Sequence, residues 1–215
     1  MVRYVEPMSH AAALAHLRAS DPVMRGIIAA VGPCAFAPRA EGTHFEAVAR
    51  AIVYQQLSGK AAGTIHGRFH GIYGGRAPAP AELLATADDA LRAAGLSRQK
   101  IGYLRDLAAR VDGGDVPLDA VDALDDDALV AALTRVKGVG RWTAQMFLMF
   151  RLGRPDVLPD LDLGIQRAIE LAYGLGRLAT PAEVLEIGAP WAPWRTVASW
   201  YLWRSLENGD GQGSD

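Results

Sequence analysis

Two short segments of the chain carry side chains whose types and spacing could do chemistry. The first is a glycine-rich run, Lys137-Gly138-Val139-Gly140-Arg141, between two predicted helices. Glycines on either side of one aliphatic residue permit a tight turn with positive φ at both glycines, and we expect Val139 to fill the space between the helices. The N–H groups at the start of the second helix can then bind a phosphate oxygen, with Lys137 and Arg141 adding charge beside it. Such a turn holds a nucleic acid backbone without reading its sequence, whereas a plain helix corner with a glycine cap is the structural alternative.

The second segment, Leu158-Pro159-Asp160-Leu161-Asp162, follows the turn and ends at a predicted helix start. A carboxylate at a helix N-terminus stays ionised because the helix dipole favours negative charge there. An ionised carboxylate can stabilise positive charge that develops in a transition state and can orient an attacking water. Asp160 is a neighbouring candidate for the same role. The structural alternative is that Asp162 is only a helix cap, which is compatible with a chemical role.

The elements that must position these residues are predicted to be helices. Asp21-Pro22 is typical of an N-cap followed by proline at the first helical position. Capping boxes are predicted where Thr43 and Thr180 each precede a glutamate by three residues, and Ser97 is a further candidate cap. No long segment alternates polar and apolar residues as a strand would. The fold class is therefore all-α.

The composition is that of a globular protein of 215 residues, of which 50% are hydrophobic. The formal net charge of −2 includes seven aspartates between residues 112 and 127, and removing these seven negative charges gives +5 for the remainder. No apolar run is long enough to span a membrane, and the start of the chain, Met1 to Glu6, lacks the apolar core of a signal peptide. We therefore expect a cytoplasmic protein.

Metal-binding side chains are sparse in the sequence. The single cysteine, Cys34, excludes an intramolecular disulfide and a four-cysteine zinc or iron–sulfur site. His66 and His70 are four residues apart, which is a weak metal signal, and a solvated helix face is the favoured interpretation. We expect no metal site built from side chains.

The turn and the carboxylate together resemble the helix-hairpin-helix (HhH-GPD) superfamily of DNA glycosylases, and within it the AlkA-like 3-methyladenine DNA glycosylases II. Gly138, Val139 and Gly140 match the hairpin turn of the family, and Thr143-Ala144 match the start of its second helix. Asp162-Leu163-Gly164 matches the family's catalytic aspartate and the residues after it.

The resemblance implies a monofunctional glycosylase of base excision repair that hydrolyses the N-glycosidic bond of alkylated bases. Members that also cut the DNA backbone carry a lysine where this chain has Trp142, so no AP lyase activity is expected. The implied base pocket contains Trp142, Trp194 and Met146, with Tyr54 either in the pocket or simply buried. A cationic alkylated purine would stack well on an indole ring.

The resemblance also implies contacts to DNA outside the pocket. A flipped base leaves a gap that a side chain must fill, and the turn at Gln56-Leu57-Ser58 resembles the family's wedge. Leu57 is preferred for its apolar side chain, with Gln56 and Ser58 as rivals. Ser97 and Lys100 match a family helix start that holds a phosphate, although a plain cap with solvated basic residues is the alternative.

The implied architecture has two helical lobes with the active site in the cleft between them. One lobe comprises residues 1–40 and 150–215 and contains the catalytic aspartate, and the other comprises residues 41–149 and ends in the hairpin. The expected partner is double-stranded DNA with damaged bases, bound by a monomer at the nucleoid. No cofactor is expected, although a monovalent cation at the hairpin carbonyls is compatible with the family. Two alternatives stay open, namely a glycosylase for another damaged base and a non-catalytic hairpin module that only binds DNA.

Overall fold

The computed structural model describes residues 10–209, and every element in that range is a helix. The prediction of an all-α fold is thus confirmed for the described part of the chain, whereas the N-terminal residues used to predict localisation lie outside it. The α-helices are α1 (His10–Ser20), α2 (Pro22–Val31), α3 (His44–Tyr54), α4 (Gly59–Gly71), α5 (Pro80–Ala85), α6 (Asp88–Ala93), α7 (Arg98–Asp112), α8 (Asp126–Leu133), α9 (Arg141–Phe150), α10 (Leu163–Tyr173), α11 (Pro181–Ile187) and α12 (Arg195–Gly209). Short 3-10 helices span Leu118–Ala123 and Ala189–Trp191.

The four predicted caps begin helices as expected. The Asp21 side chain accepts from the N–H groups of α2, and Thr43 and Thr180 form capping boxes at the starts of α3 and α11. The Ser97 hydroxyl accepts the Lys100 N–H at 3.2 Å and so caps α7. Each such cap satisfies a backbone donor that the helix itself cannot, and contributes about 1 kcal/mol.

The described chain divides into two compact units, and the first comprises residues 10–39 and 148–209. In this unit α12 packs against α2 and α10 around fully buried Trp191 and Tyr201. Asp21 links distant parts of the unit, because its Oδ2 accepts the Tyr173 hydroxyl at 2.5 Å and the Trp191 indole N–H at 2.8 Å. Burial alone would raise the pKa of Asp21, but these hydrogen bonds and those from the α2 backbone lower it overall.

The second unit comprises residues 40–147. Its central element is α7, which packs against both α3 and α5 through the fully buried side chains of Leu104 and Leu107. Burying a leucine side chain contributes about 1.5–3 kcal/mol, so α7 is held firmly. Its exposed face is therefore a rigid support for the two turns described below. The predicted lobes, residues 1–40 with 150–215 and residues 41–149, have bounds close to those of the two units.

Within residues 10–209, no helix has the length and apolar character needed to cross a membrane.

Candidate active site

The hairpin turn lies between α8 and α9 and contains one left-handed residue. Gly138 has φ +79°, whereas Gly140 is not among the residues with positive φ. The expectation of positive φ at both glycines is therefore wrong for Gly140, because the second helix already starts there: the Gly140 carbonyl accepts the Ala144 N–H at 3.0 Å. Val139 is only 4% exposed, so it fills the space between the helices as predicted. Nothing lies within 4 Å of where a Gly140 Cβ would be, so the fold itself does not require glycine at that position.

The support for this turn comes from α7. The Tyr103 ring lies so close over Gly138 that a Cβ there would be 2.2 Å from its Cδ2 atom. One turn further along α7, Asp106 accepts the Lys137 backbone N–H at 2.9 Å. Burial alone would raise the pKa of Asp106, but this hydrogen bond and one from Arg110 lower it overall. Neither Tyr103 nor Asp106 was predicted from sequence, because the turn residues that they contact are more than thirty positions away along the chain.

A second turn joins α3 to α4 through Gln55-Gln56-Leu57, and Ser58 caps α4 by accepting the Ala61 N–H at 3.4 Å. Gln56 has φ +57° and is the sole residue other than glycine with positive φ in the described chain. A left-handed conformation costs a residue with a Cβ about 1–2 kcal/mol, and such strain concentrates at functional sites. Gln56 and Leu57 are both exposed, Leu57 to 39%.

The two turns are tied together by Gln55, whose side-chain amide donates to the Gly138 carbonyl at 2.8 Å. Lys100, which we predicted to contact the DNA backbone, is partly buried and bonded within its own unit. Its ammonium donates to the carbonyls of Val53 and Gln55 at 2.6 and 2.8 Å, at the C-terminal end of α3. A cation is stabilised there by the helix dipole, although burial lowers the pKa of Lys100. Lys100 thus supports the turn that carries the predicted wedge.

Tyr54 belongs to a cluster of ring and charged side chains at the α3–α4 contact. The Arg50 guanidinium lies 3.9 Å from the centre of its ring, which covers one face, and the His66 ring meets its edge at 5.8 Å. The rings of His66 and His70 are 4.1 Å apart, and both side chains are partly buried. The expectation of a solvated face for the two histidines is therefore wrong. Burial, followed by the charges of His70 and Arg50, lowers the pKa of His66 to about 4.

Two of the predicted pocket residues lie on α9. Trp142 is the second residue of the helix and is 44% exposed, a large fraction for an indole ring. Met146 follows four residues later and is partly buried, so the two side chains share one helix face. The exposed part of the Trp142 indole is therefore available to stack on another ring.

The predicted catalytic residue, Asp162, is the N-cap of α10. Its Oδ1 atom accepts the Ile165 N–H at 2.9 Å and the indole N–H of Trp203 at 2.9 Å. The side chain is partly exposed, whereas its rival Asp160 is only 2% exposed. Because a catalytic carboxylate must reach its substrate, the burial favours Asp162 over Asp160.

Trp194 precedes α12 and is partly buried against the core of its unit. The next residue, Arg195, forms a two-pronged ion pair with Asp156 at 2.6 and 2.7 Å. Burial alone would raise the pKa of Asp156, but the Arg195 pair lowers it. The Thr196 hydroxyl donates to the Arg154 carbonyl at 2.6 Å and accepts the Val157 N–H at 3.0 Å. The start of α12 is thus fastened to the segment that leads to Asp162.

The described chain therefore combines an accessible, hydrogen-bonded carboxylate with exposed indole and a turn suited to phosphate. An ionised carboxylate can stabilise an oxocarbenium-like sugar, and indole rings can stack on a base. Among the described residues, no three His, Cys, Asp or Glu side chains are grouped so as to hold a metal ion.

Comparison with known proteins places this geometry in a family. Residues 49–193 match the model of the HhH-GPD superfamily base excision DNA repair proteins. DNA-3-methyladenine glycosylase 1 of Schizosaccharomyces pombe is 37% identical over 168 residues, which are 77% of this chain and 74% of the relative.

Two solved structures have similar folds and sequences. The 3-methyladenine DNA glycosylase Mag1 of Schizosaccharomyces pombe, in complex with abasic DNA, has a TM-score of 0.79 and 34% identity over 91% of this chain and 97% of that chain. A DNA-3-methyladenine glycosidase from Bacillus halodurans has a TM-score of 0.85 and 34% identity over 93% of this chain and 91% of that chain. The matched region contains the hairpin turn and Asp162, and the chain belongs to the HhH-GPD superfamily of base excision DNA repair proteins.

Proposed function

We propose that this protein is a DNA glycosylase of base excision repair that hydrolyses the N-glycosidic bond of alkylated bases, of the 3-methyladenine and 7-methylguanine type, and leaves an abasic site. The observation that carries the proposal is Asp162, a partly exposed carboxylate at the start of α10 that accepts hydrogen bonds from the Ile165 N–H and the Trp203 indole. The names of its relatives, 3-methyladenine glycosylases with 34–37% identity, support the same substrate class.

The reaction that fits this carboxylate is hydrolysis at the sugar C1′ atom. The bond between C1′ and the base nitrogen breaks, and its electron pair leaves with the base. Positive charge develops on C1′ and the ring oxygen, and Asp162 stabilises it electrostatically. A water oxygen then bonds to C1′ and gives up a proton, which the carboxylate can accept.

Alkylated purines suit a site that offers indole rings and a carboxylate. These bases carry a formal positive charge, so they leave as neutral molecules without a strong general acid. A cationic ring gains about 0.5–2 kcal/mol from stacking on indole, and Trp142 and Trp194 are the rings that we assign to this role. Met146 and Tyr54 complete the proposed pocket, although Arg50 already covers one face of the Tyr54 ring.

Hydrolysis without strand cleavage follows from the absence of an amine in the second hairpin helix. A lyase forms a Schiff base through a lysine, and the three lysines of the chain are Lys60, Lys100 and Lys137. None is in α9 or α10, and the Lys100 ammonium is bonded to the α3 carbonyls. We therefore propose a monofunctional enzyme.

Binding of DNA involves both turns of the second unit. The hairpin turn, with Gly140 and the exposed side chains of Lys137 and Arg141, is proposed to hold a phosphate at the start of α9. The turn at Gln56 and Leu57 is proposed to supply the wedge that fills the gap left by a flipped base.

The binding of a monovalent cation at the hairpin carbonyls stays a prediction. The carbonyls of Val136 and Gly138 accept hydrogen bonds from the Val139 N–H and the Gln55 amide. A carbonyl oxygen has two lone pairs, so these bonds are compatible with a cation. Bound there, a cation would add positive charge near the phosphate.

The test uses duplex DNA that carries a single 7-methylguanine or 3-methyladenine. We expect the protein to release the free base and to produce strand breaks only after alkali treatment. Strand breaks without alkali would contradict the monofunctional mechanism. DNA binding without release of either base would contradict the alkylated-base assignment, and a panel of uracil, oxidised and deaminated bases would then separate a glycosylase for another lesion from a module that only binds DNA.

A further inference from the structure

Trp203 contacts the catalytic carboxylate, although an indole on a helix is more often a core residue. Its indole N–H donates to Asp162 Oδ1 at 2.9 Å. The same oxygen caps α10 by accepting the Ile165 backbone N–H. Unlike the buried Trp200 on the same helix, Trp203 is only partly buried. The contact joins residues that are 41 positions apart.

The indole is fixed in place by aromatic neighbours within its own unit. It stacks on Phe150 with ring centres 5.8 Å apart and planes inclined by 29°, and Phe150 in turn packs on Phe36 at 5.7 Å. Aromatic pairs at such distances are worth about 0.5–1.5 kcal/mol beyond their buried area. The donor is therefore held in one position before any substrate arrives.

Gly164 leaves the space that the indole occupies. A Cβ at this position would be 3.0 Å from Asp162 Oδ1, 3.1 Å from Trp203 Cδ1 and 3.2 Å from Trp203 Nε1. These distances are tighter than ordinary contacts, so an added side chain would require the carboxylate, the ring or both to shift. Gly164 is the second residue of α10 and does not have a positive φ, so the helix backbone does not require glycine there. The glycine is explained by the close approach of the carboxylate and the indole.

Helix α12 contacts both ends of the segment that runs from Arg154 to Asp162. Thr196 bonds to residues Arg154 and Val157, and Trp203, seven positions later and so on the same face of α12, bonds to Asp162.

We propose that Trp203 is a positioning residue for the glycosylase reaction, which orients the Asp162 carboxylate toward the sugar; the inference rests on the proposed function. The Ile165 N–H ties Oδ1 to the start of α10, and the Trp203 indole N–H approaches the same oxygen from α12. This contact from a second helix restricts rotation of the carboxylate, so that the negative charge points where positive charge develops. Preorganised groups of this kind lose effectiveness steeply with displacement, by about 100-fold for 1 Å.

The first test replaces Trp203 by phenylalanine, which retains an aromatic ring against Phe150 and removes the N–H. We expect the single-turnover rate of base release to fall by roughly 10- to 100-fold, with the Kd for DNA carrying an abasic site unchanged. Trp200→Phe is the matched control, since it makes the same change one turn earlier on α12, and its rate should equal that of the wild type. An unchanged or faster rate for Trp203→Phe overturns the inference.

Gly164→Ala tests the inference without touching the tryptophan. If the glycine were only a helix residue, alanine would raise the melting temperature and leave the rate intact. We expect an intact fold together with a rate reduced as in Trp203→Phe. A full rate in a folded Gly164→Ala variant contradicts the proposal.

Nuclear magnetic resonance of the indole N–H groups provides a readout that is independent of activity. Five tryptophans give five signals in ¹⁵N-labelled protein, and Trp203→Phe assigns the relevant one. In Asp162→Asn, the Trp203 signal should move upfield because its acceptor loses its charge, while the Trp200 signal stays. An unmoved Trp203 signal refutes the hydrogen bond. A wild type that releases no base while the signal moves would refute the proposed function and leave the contact established.

Discussion

Alanine at Gly138 should lower the stability of the protein, whereas alanine at Gly140 should weaken DNA binding, because the two glycines differ in their surroundings. At Gly138 the φ of +79° costs a residue with a Cβ about 1–2 kcal/mol. The added Cβ, 2.2 Å from Tyr103 Cδ2, must also displace a ring whose hydroxyl accepts from Gln99, at about 1–3 kcal/mol. Gly138→Ala should therefore lose about 2–5 kcal/mol of unfolding free energy.

At Gly140 neither cost applies, since its φ is not positive and nothing lies within 4 Å of an added Cβ. Gly140→Ala should keep the stability of the wild type or gain up to about 1 kcal/mol from the restricted unfolded chain. The new methyl group would instead stand between the turn and a DNA phosphate. Loss of one charge-assisted hydrogen bond, about 1.5–3 kcal/mol, corresponds to about 10- to 100-fold weaker binding.

Thermal melting and fluorescence anisotropy measure the two effects separately. For a chain of this size, about 1 kcal/mol shifts the melting temperature by roughly 2–4 °C, so Gly138→Ala should melt roughly 4–20 °C below the wild type. Gly140→Ala should melt with the wild type and bind a labelled abasic duplex more weakly. Wild-type affinity in Gly140→Ala would refute the phosphate site, and an early melt in that variant would refute the steric reasoning.

Gln56→Gly should keep or raise the melting temperature, because glycine adopts φ +57° without strain, and should lower base release from duplex DNA by roughly tenfold if the side chain fills the gap. Full activity in this variant, together with a loss in Leu57→Ala, would assign the wedge to Leu57 instead. The pKa of His66 is lowered from 6.5 to about 4 in the folded protein. Between these two pH values the unfolded chain binds a proton that the folded protein does not. The free energy of unfolding is therefore highest above pH 6.5 and falls as the pH drops from 6.5 to about 4. The free energy of unfolding from urea titrations should fall between pH 7.5 and pH 4.5 by about 1–2 kcal/mol more in the wild type than in His66→Phe, a range that allows for the partial exposure of His66. An equal fall in both proteins would refute the lowered pKa of His66.

Features that depend on local sequence were predictable. A helix cap involves residues three positions apart, and so the caps at Asp21, Thr43, Ser97 and Thr180 were found from sequence alone. The resemblance of the hairpin and of the segment around Asp162 carried the family assignment.

Features that depend on distant contacts were not predictable from one sequence. Lys100 looked like a solvent-facing phosphate ligand, yet its partners on Val53 and Gln55 are 47 and 45 residues away. An indole on a helix, such as Trp203, is usually a core residue, and the acceptor of its N–H is the N-cap of another helix, 41 residues away. The one available signal was Gly164, a glycine inside a helix start that the helix itself does not need.

In the proposed mechanism, the Asp162 carboxylate stabilises the charge that develops on the sugar. Single-turnover release of 7-methylguanine by the wild type, Asp162→Asn and the control Asp125→Asn tests this role. Asparagine caps a helix about as well as aspartate, and Asp125 caps α8 through the same kind of hydrogen bond, at 2.7 Å, so both variants should fold. We expect a rate at least about 100-fold lower for Asp162→Asn and a wild-type rate for Asp125→Asn. Comparable rates for Asp162→Asn and the wild type would contradict this role.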